Sequence, residues 1–295
     1  MEDITQQLQE LTLSNDKYSK PLLKWIGGKT QIIDTIMNTF PKNMKNYHEP
    51  FIGGGSVLLQ LLEHVKNNVI EVKGVIYASD NNIHLINLYK NIQSNPQNLL
   101  DSITSIIQNY QEADDKSAFY YTVRNNFNND TNTSEIDKSA MFLFLNKTCF
   151  RGVYRENKMG HFNVPYGNYK NPQIVSQEHV MYLHRLIKDV VFTCQDFDTS
   201  LSICKKKDFV YLDPPYAPEK DNSFVSYTKD GFNDRHEELF NMCKEFKCAW
   251  CMSNANVPFV LHSFQDKYKI TVIECKRSIN SKKPDSKTYE VIIQG

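Results

Sequence analysis

The sequence predicts an α/β protein: a parallel sheet flanked by helices and split by an inserted, mainly helical segment. Three observations predict it. Short apolar runs that close on Gly or Asp are each followed by a helix-forming stretch, the punctuation of parallel strands joined by crossover helices. That texture stops near residue 82 and resumes near 176, with a different composition between. A chain of 295 residues, 40% apolar and 12% aromatic, is long enough for about two cores. The resulting boundaries are 18–81 plus 176–295 for the sheet domain, 82–175 for the insert and 1–17 for an N-terminal tail.

The elements follow in order. Residues 1–17 are polar apart from Ile4, Leu8 and Leu11, whose spacing suits one short docked helix. "NYHEPF" reads as a strand, followed by a helix from 56 to about 64; "GVIYASD" reads as the next strand, followed by a helix from about 83 to 92. The insert carries helices, an Asn-rich break at 125–133, and then the aromatic and basic "LNKTCFRGVYRENKMGHFNVPYGNYKNP". "VVFTCQDF", "DFVYLDPPY", "CAWCMSN", "YKITVIEC" and "YEVIIQG" are five further strands. No internal repeat is visible.

Composition excludes several classes. Lys plus Arg and Asp plus Glu both count 34, so affinity for nucleic acid must come from a local patch. No apolar run approaches the ~18 residues that a membrane span requires. Met1 to Glu10 is polar and lacks the apolar core of a signal peptide, and seven Cys is an odd number, which together predict reduced thiols and a cytoplasmic setting. Cys243, Cys248 and Cys251 have a ligand-like spacing, but Cys275 is the one remaining fourth candidate, and "KCAWCMSN" reads as a buried strand. No metal is expected.

"KWIGGKT" is not a phosphate-binding P-loop, because the position that needs its first Gly holds Leu23. "EPFIGGGSV" leaves a strand and opens a helix, so its glycines let the backbone approach a ligand, yet the last Gly of a dinucleotide turn would fall on Leu58. Asp80 closes the next strand, where an acid either accepts from ribose hydroxyls or caps the following helix. A ribose-bearing cofactor without a phosphate lysine suggests S-adenosylmethionine rather than ATP or NAD. "FVYLDPPYAP" then supplies chemistry. The lone pair of an exocyclic amine on a nucleobase is delocalised into the ring. A carboxylate from Asp213 and the Pro214 carbonyl can accept its two N–H bonds and turn that lone pair toward a methyl donor, while Tyr216 stacks on the base. Pro214 and Pro215 hold the corner rigid.

The order "KWIGGKTQ", "EPFIGGGSV", "ASDNN", an insert and "YLDPPYAP" resembles the Dam-type DNA adenine-N6 methyltransferases of the alpha group, from about residue 20 to 293. The resemblance implies a Rossmann-like sheet that binds S-adenosyl-L-methionine, an inserted target-recognition domain, and Asp213, Pro214, Pro215 and Tyr216 as catalytic residues. It implies cofactor contacts from Trp25, Lys29, Asp80 and Asp213, with Phe51, Gly53, Gly55 and Ser56 of the glycine turn and Asp196 and Phe197 near the adenine. It implies that Arg155 reads a base and that Lys24 reads the outer base pair. Such enzymes usually carry Asn before the Gly of the recognition loop, where this chain has Arg151 before Gly152. The expected target is therefore a short palindrome of GATC or CATG type in double-stranded DNA, methylated after base flipping and without a covalent intermediate. A cognate restriction endonuclease is compatible with this resemblance.

Residues 141–172 hold Lys147, Arg151, Arg155, Lys158 and Lys170 against Glu156 alone, interleaved with Phe150, Tyr154, Phe162, Tyr166 and Tyr169. That pattern suits phosphate contacts and base reading or wedging, with Val153, Asn163 and Pro165 beside them; an ordinary solvated face with core aromatics is the plainer alternative. Lys276, Arg277, Lys282, Lys283 and Lys287 form a second basic cluster, expected to flank the DNA channel. The competing functions are transfer to cytosine N4, RNA adenine or a glutamine amide, and a catalytically silent DNA-binding regulator. Asp rather than Ser before Pro-Pro-Tyr leans toward adenine.

Overall fold

Nine strands lie among the described residues: β1 (Asn43–Met44), β2 (Tyr47–Glu49), β3 (Glu71–Val72), β4 (Ile76–Asp80), β5 (Val190–Cys194), β6 (Phe209–Leu212), β7 (Ala249–Ala255), β8 (Lys269–Lys276) and β9 (Lys287–Gln294). They belong to a computed structural model that describes residues 20–218, 232, 235–276 and 287–295. The predicted tail 1–17, and residues 277–286 with most of the second basic cluster, lie outside the described residues. Seven strands form one sheet in the order β5-β4-β2-β6-β7-β9-β8, and β1 pairs with β3 beside it. The first five are parallel, while β9 runs antiparallel to both β7 and β8.

The central strand β6 reads as an unbroken apolar run because both its faces are covered. On β6, Phe209 and Tyr211 join one buried cluster and Val210 and Leu212 the other. On β7 the same alternation sends Cys251 to the first cluster and Trp250 and Met252 to the second. Cys243 and Cys248 pack into the second cluster as well, so they lie across the sheet from Cys251, and each behaves as a small apolar side chain.

Helices α1 (Ile33–Met37), α2 (Ser56–Lys66) and α3 (Ile83–Ser94) are followed by α4 (Pro96–Glu112), α5 (Lys116–Asn129) and α6 (Glu135–Thr148). After them come α7 (Gln177–Leu186), α8 (Phe197–Leu201), α9 (His236–Glu245) and α10 (Pro258–Phe264). Starts are set by side-chain caps: Asn82 accepts from Leu85 N, Asp115 from Ser117 N and Ala118 N, Ser134 from Asp137 N, and Ser176 from His179 N. Helix α6 is buried almost all round, with Phe142, Leu143, Phe144 and Leu145 no more than 1% exposed, and α3, α4 and α5 pack around it. Each such side chain contributes roughly 1.5–3 kcal/mol of burial. The first cluster runs without interruption from these helices into β2 and β6, so α3 to α6 rest directly on the sheet that carries the site.

The Asn-rich run does not break the chain where its composition suggests. Helix α5 continues to Asn129 because Val123 and Phe127 are buried and hold that face, and Ser134 starts the next helix. Tertiary burial outweighs the weak helix propensity of Asn.

Candidate active site and nucleic-acid interface

The sheet order reverses at β2, which has β4 on one side and β6 on the other, so the connections after β2 and β6 leave in opposite directions. A crevice opens at the C-terminal ends of strands at such a switch point. The chain leaves β2 through Pro50, Phe51 and Ile52 into the glycine turn. Gly55 occupies the left-handed region at φ 75° and caps α2, and a Cβ there would lie 2.4 Å from the Tyr89 hydroxyl. No other residue fits without displacing that ring.

Asp80 faces the turn from the end of β4. Its Oδ2 accepts from Gly53 N at 3.1 Å and its Oδ1 from Asn82 N at 3.0 Å. Burial pushes its carboxyl up to about 6 against those backbone donors. The cap of α3 is Asn82, so Asp80 is not the helix cap and its carboxylate instead braces the glycine turn.

Asp213 follows β6 and pairs with Lys29, whose Nζ lies 2.7 Å from Oδ2 although Lys29 itself is 3% exposed. Lys29 is held in turn by Ser56, whose Oγ accepts its backbone N–H at 3.1 Å, and its ammonium donates to the Gly27 carbonyl. Burial raises the Asp213 carboxyl to about 6; Lys29 pulls it down and Glu290 pushes it up. The proline corner is pinned from behind: His236 Nε2 lies 2.8 Å from the Pro215 carbonyl oxygen, and Ala217 N donates to Asn254 Oδ1 at 3.1 Å. Pro214 is buried and Pro215 exposed. The Tyr216 hydroxyl donates to Glu290 Oε2 at 2.6 Å, and the Lys29 ammonium sits 4.9 Å from its ring centre. Burial, then Asp213 and Glu290, holds that phenol protonated well above its usual range.

The far wall of the crevice is aromatic. Phe51 packs on Phe197 and on Phe232, both with centroids 5.6 Å away, and Phe197 is 1% exposed. Asp196 caps α8 through the Phe197 N–H and pairs with Arg235, whose guanidinium lies 4.2 Å from the Phe197 ring centre. Trp25 is half-buried against Gly53 and Gly54 and stacks on Tyr154 at 5.5 Å.

Trp25 also joins the crevice to the basic loop. Asn146, 2% exposed on α6, clamps the preceding residue by both backbone groups, accepting from Lys24 N at 2.9 Å and donating to Lys24 O at 2.8 Å. The Lys24 side chain crosses Gly152, where φ is 66° and a Cβ would lie 2.4 Å from Lys24 Cδ, and its ammonium ends 4.6 Å from the Tyr169 ring centre. Burial and the Lys24 charge lower Lys147 to about 8. Arg155 and Asn163 face each other across a hairpin, Nε donating to Oδ1 at 2.7 Å. Phe150 N donates to Pro165 O at 2.8 Å, Phe150 is 49% exposed, Val153 is half-buried and Lys170 is exposed. Arg151 holds φ 60°, a left-handed conformation that costs a residue such as Arg about 1–3 kcal/mol.

The interleaved aromatics divide by burial. Phe162 is 3% exposed, Tyr154 stacks on Trp25, and Tyr166 shares a 2.6 Å hydroxyl contact with Tyr110, so these three support the loop. Sequence reading missed Glu49, Asn146, Arg235, His236 and Glu290. Glu49 sits inside the quoted glycine motif, 2% exposed, with burial raising it to about 8 while Tyr47 donates to it at 2.7 Å. The others carry no local signal.

A mostly parallel seven-stranded sheet, with a glycine turn and an Asp-Pro-Pro-Tyr strand end meeting at its switch point, defines the class: a Rossmann-like methyltransferase. The chain belongs to the D12 class of N6 adenine-specific DNA methyltransferases, whose family model matches residues 25–279. It is 39% identical to the type II methyltransferase M.MjaIII of Methanocaldococcus jannaschii over 93% of this chain and 98% of the relative. It is also similar to the type II methyltransferase M1.LlaDCHI of Lactococcus lactis subsp. cremoris, at 31% identity over 93% and 94%. The retron Ec67 DNA adenine methylase of Escherichia coli is 30% identical over 92% and 90%. The protein is accordingly an adenine-specific DNA methyltransferase, with DNA as its substrate. Among the described residues no helix is long and apolar enough to cross a membrane.

Proposed function

We propose that the chain transfers the methyl group of S-adenosylmethionine to N6 of an adenine flipped out of a short palindromic duplex site of GATC or CATG type. The observation that carries this is the Asp213 carboxylate, fixed at 2.7 Å by Lys29 at the mouth of β6, beside the glycine turn of β2. The donor set fits the cofactor. Asp80 supplies a carboxylate for ribose hydroxyls, Asp196 and the Phe51 wall suit an adenine, and the glycine turn lacks the lysine a polyphosphate requires. When bound, that cofactor supplies an electrophilic methyl group on a sulfonium centre.

Asp213 and the Pro214 carbonyl accept the two N–H bonds of the amine, which frees its lone pair from the base ring. Lys29 keeps the carboxylate ionised and oriented, and with its acid near 6 about nine-tenths of it is charged at pH 7. Tyr216 offers a ring to the extruded base, an interaction worth about 1–3 kcal/mol. The 82–175 segment reads the target: Arg155 and Lys24 touch base edges, and Lys147, Phe150, Arg151, Val153, Asn163, Pro165 and Lys170 line the duplex. A DNA substrate supports an intracellular place of action, and the names of the two type II relatives support pairing with a restriction endonuclease. Unmethylated duplex DNA incubated with labelled S-adenosylmethionine and then sequenced for methylation tests all of this. Label on N6 of adenine in one short palindrome is expected; label on cytosine, or none, refutes it.

A further inference from the structure

Glu290 lies on β9, 74 residues from Tyr216 in the chain, yet its carboxylate accepts the Tyr216 hydroxyl at 2.6 Å. Its backbone is fixed on both sides, paired with Ala255 of β7 and Ile273 of β8, and Val291, Ile292 and Ile293 after it are fully buried. A carboxylate on so rigid a strand is a fixed post. Tyr216, by contrast, stands on the loop after the two prolines, where the neighbouring backbone is tied by Asn254 and His236. Those ties hold the Cα end of the side chain; Glu290 holds the hydroxyl end. The Lys29 ammonium covers one face of the ring, so a base stacking on Tyr216 takes the other.

We propose that Glu290 is a positioning residue for methyl transfer: by accepting the Tyr216 hydroxyl it fixes the plane of the ring against which the extruded base stacks. The inference rests on the reading given under Proposed function. Its physical content is preorganisation. A ring anchored at both ends needs no ordering when the base arrives, and a base held in one plane keeps its amine aligned with Asp213. The carboxylate also draws the phenol proton toward itself, which leaves more electron density on the oxygen and ring and strengthens the attraction to the Lys29 ammonium.

A bond that merely ties β9 to the loop would change stability and leave the transfer step alone, so a double-mutant cycle on that step separates the two roles. The full chain is assayed for single-turnover methyl transfer on its methylatable duplex, and for fluorescence of 2-aminopurine at the target position. Tyr216→Phe and Glu290→Ala each lower the rate by about 10-fold, the size of one hydrogen bond to a charged group. The double variant falls no more than ~2-fold below the weaker single one, since both remove the same bond. Glu290→Gln, which still accepts from the hydroxyl, keeps the flipped-base fluorescence. Losses that multiply in the double variant, or a Glu290→Ala rate within ~2-fold of wild type, overturn the inference. Should Glu290→Ala not fold, Glu290→Gln in the Tyr216→Phe background replaces it, and any further loss there overturns the inference equally. Failure of the wild-type chain to methylate DNA would overturn the underlying reading and this one with it; an active wild type with multiplying losses would sink this one alone.

Discussion

Replacing Lys29 by Met keeps the length and apolar stem of a side chain that is 3% exposed and removes the ammonium 2.7 Å from Asp213. The consequence follows from what sets the Asp213 acid. Burial raises it, Glu290 raises it further, and both downward pulls, one coulombic and one a hydrogen bond, come from Lys29. Without them it climbs from about 6, and a close opposite charge is typically worth 1–3 units, so about 8 is a central expectation. At pH 7 the ionised fraction then drops from roughly nine-tenths to roughly one-tenth. Because the ionised carboxylate is much the stronger acceptor of the amine's hydrogen bond, kcat/KM at pH 7 falls ~10-fold and is largely recovered by pH 9. The assay is kcat/KM for methylation from pH 5 to 10, which reports the groups of the free enzyme. An acid limb with the same midpoint in both proteins, or a loss equal at every pH, would refute the claim that Lys29 acts by holding Asp213 ionised.

Asp80→Ala should weaken S-adenosylmethionine binding by about 1.5–3 kcal/mol, measured by calorimetry; an unchanged dissociation constant with a lower melting temperature would leave Asp80 only the bracing of Gly53. Arg155→Ala should cost ~1–3 kcal/mol and relax preference at one base position on a panel of sites altered one pair at a time. Asn163→Ala, which frees the Arg155 guanidinium, should relax that same position more weakly, and a loss uniform across all sites would make Arg155 a phosphate contact. Glu49 is raised by burial from 4.5 to about 8, so its contribution to stability is highest below its unfolded value and is lost as pH rises toward the folded one. Glu49→Gln should therefore melt like wild type near pH 4 and be more stable at pH 8 to 9, by up to roughly 3–5 kcal/mol; equal melting at both pH values would show that Tyr47 and its surroundings already offset the buried charge.

Features that depend on neighbours along the chain could be read from residue order. Strand ends at Glu49, Asp80 and Leu212, helix starts at Ser56 and Ile83, and the Asp-Pro-Pro-Tyr corner were legible because apolar periodicity, glycine and proline act within a few residues. Burial of Cys251 in a strand, and of Cys248 just before it, was legible for the same reason, while their separation onto opposite faces needed the sheet. Which distant side chains meet is set by the packing of the whole chain. Asn146 reaches Lys24 across 122 positions, Asp213 at the end of β6 meets Lys29 from a distant part of the chain, and Glu290 reaches Tyr216 because an antiparallel strand is laid between β7 and β8. The same holds for the aromatics of the basic loop, where composition could not tell the buried Phe162 from the exposed Phe150. Local propensity is a short-range energy, whereas burial and strand order depend on the whole packed chain, and the residues that hold the reactive groups in position are fixed by the second.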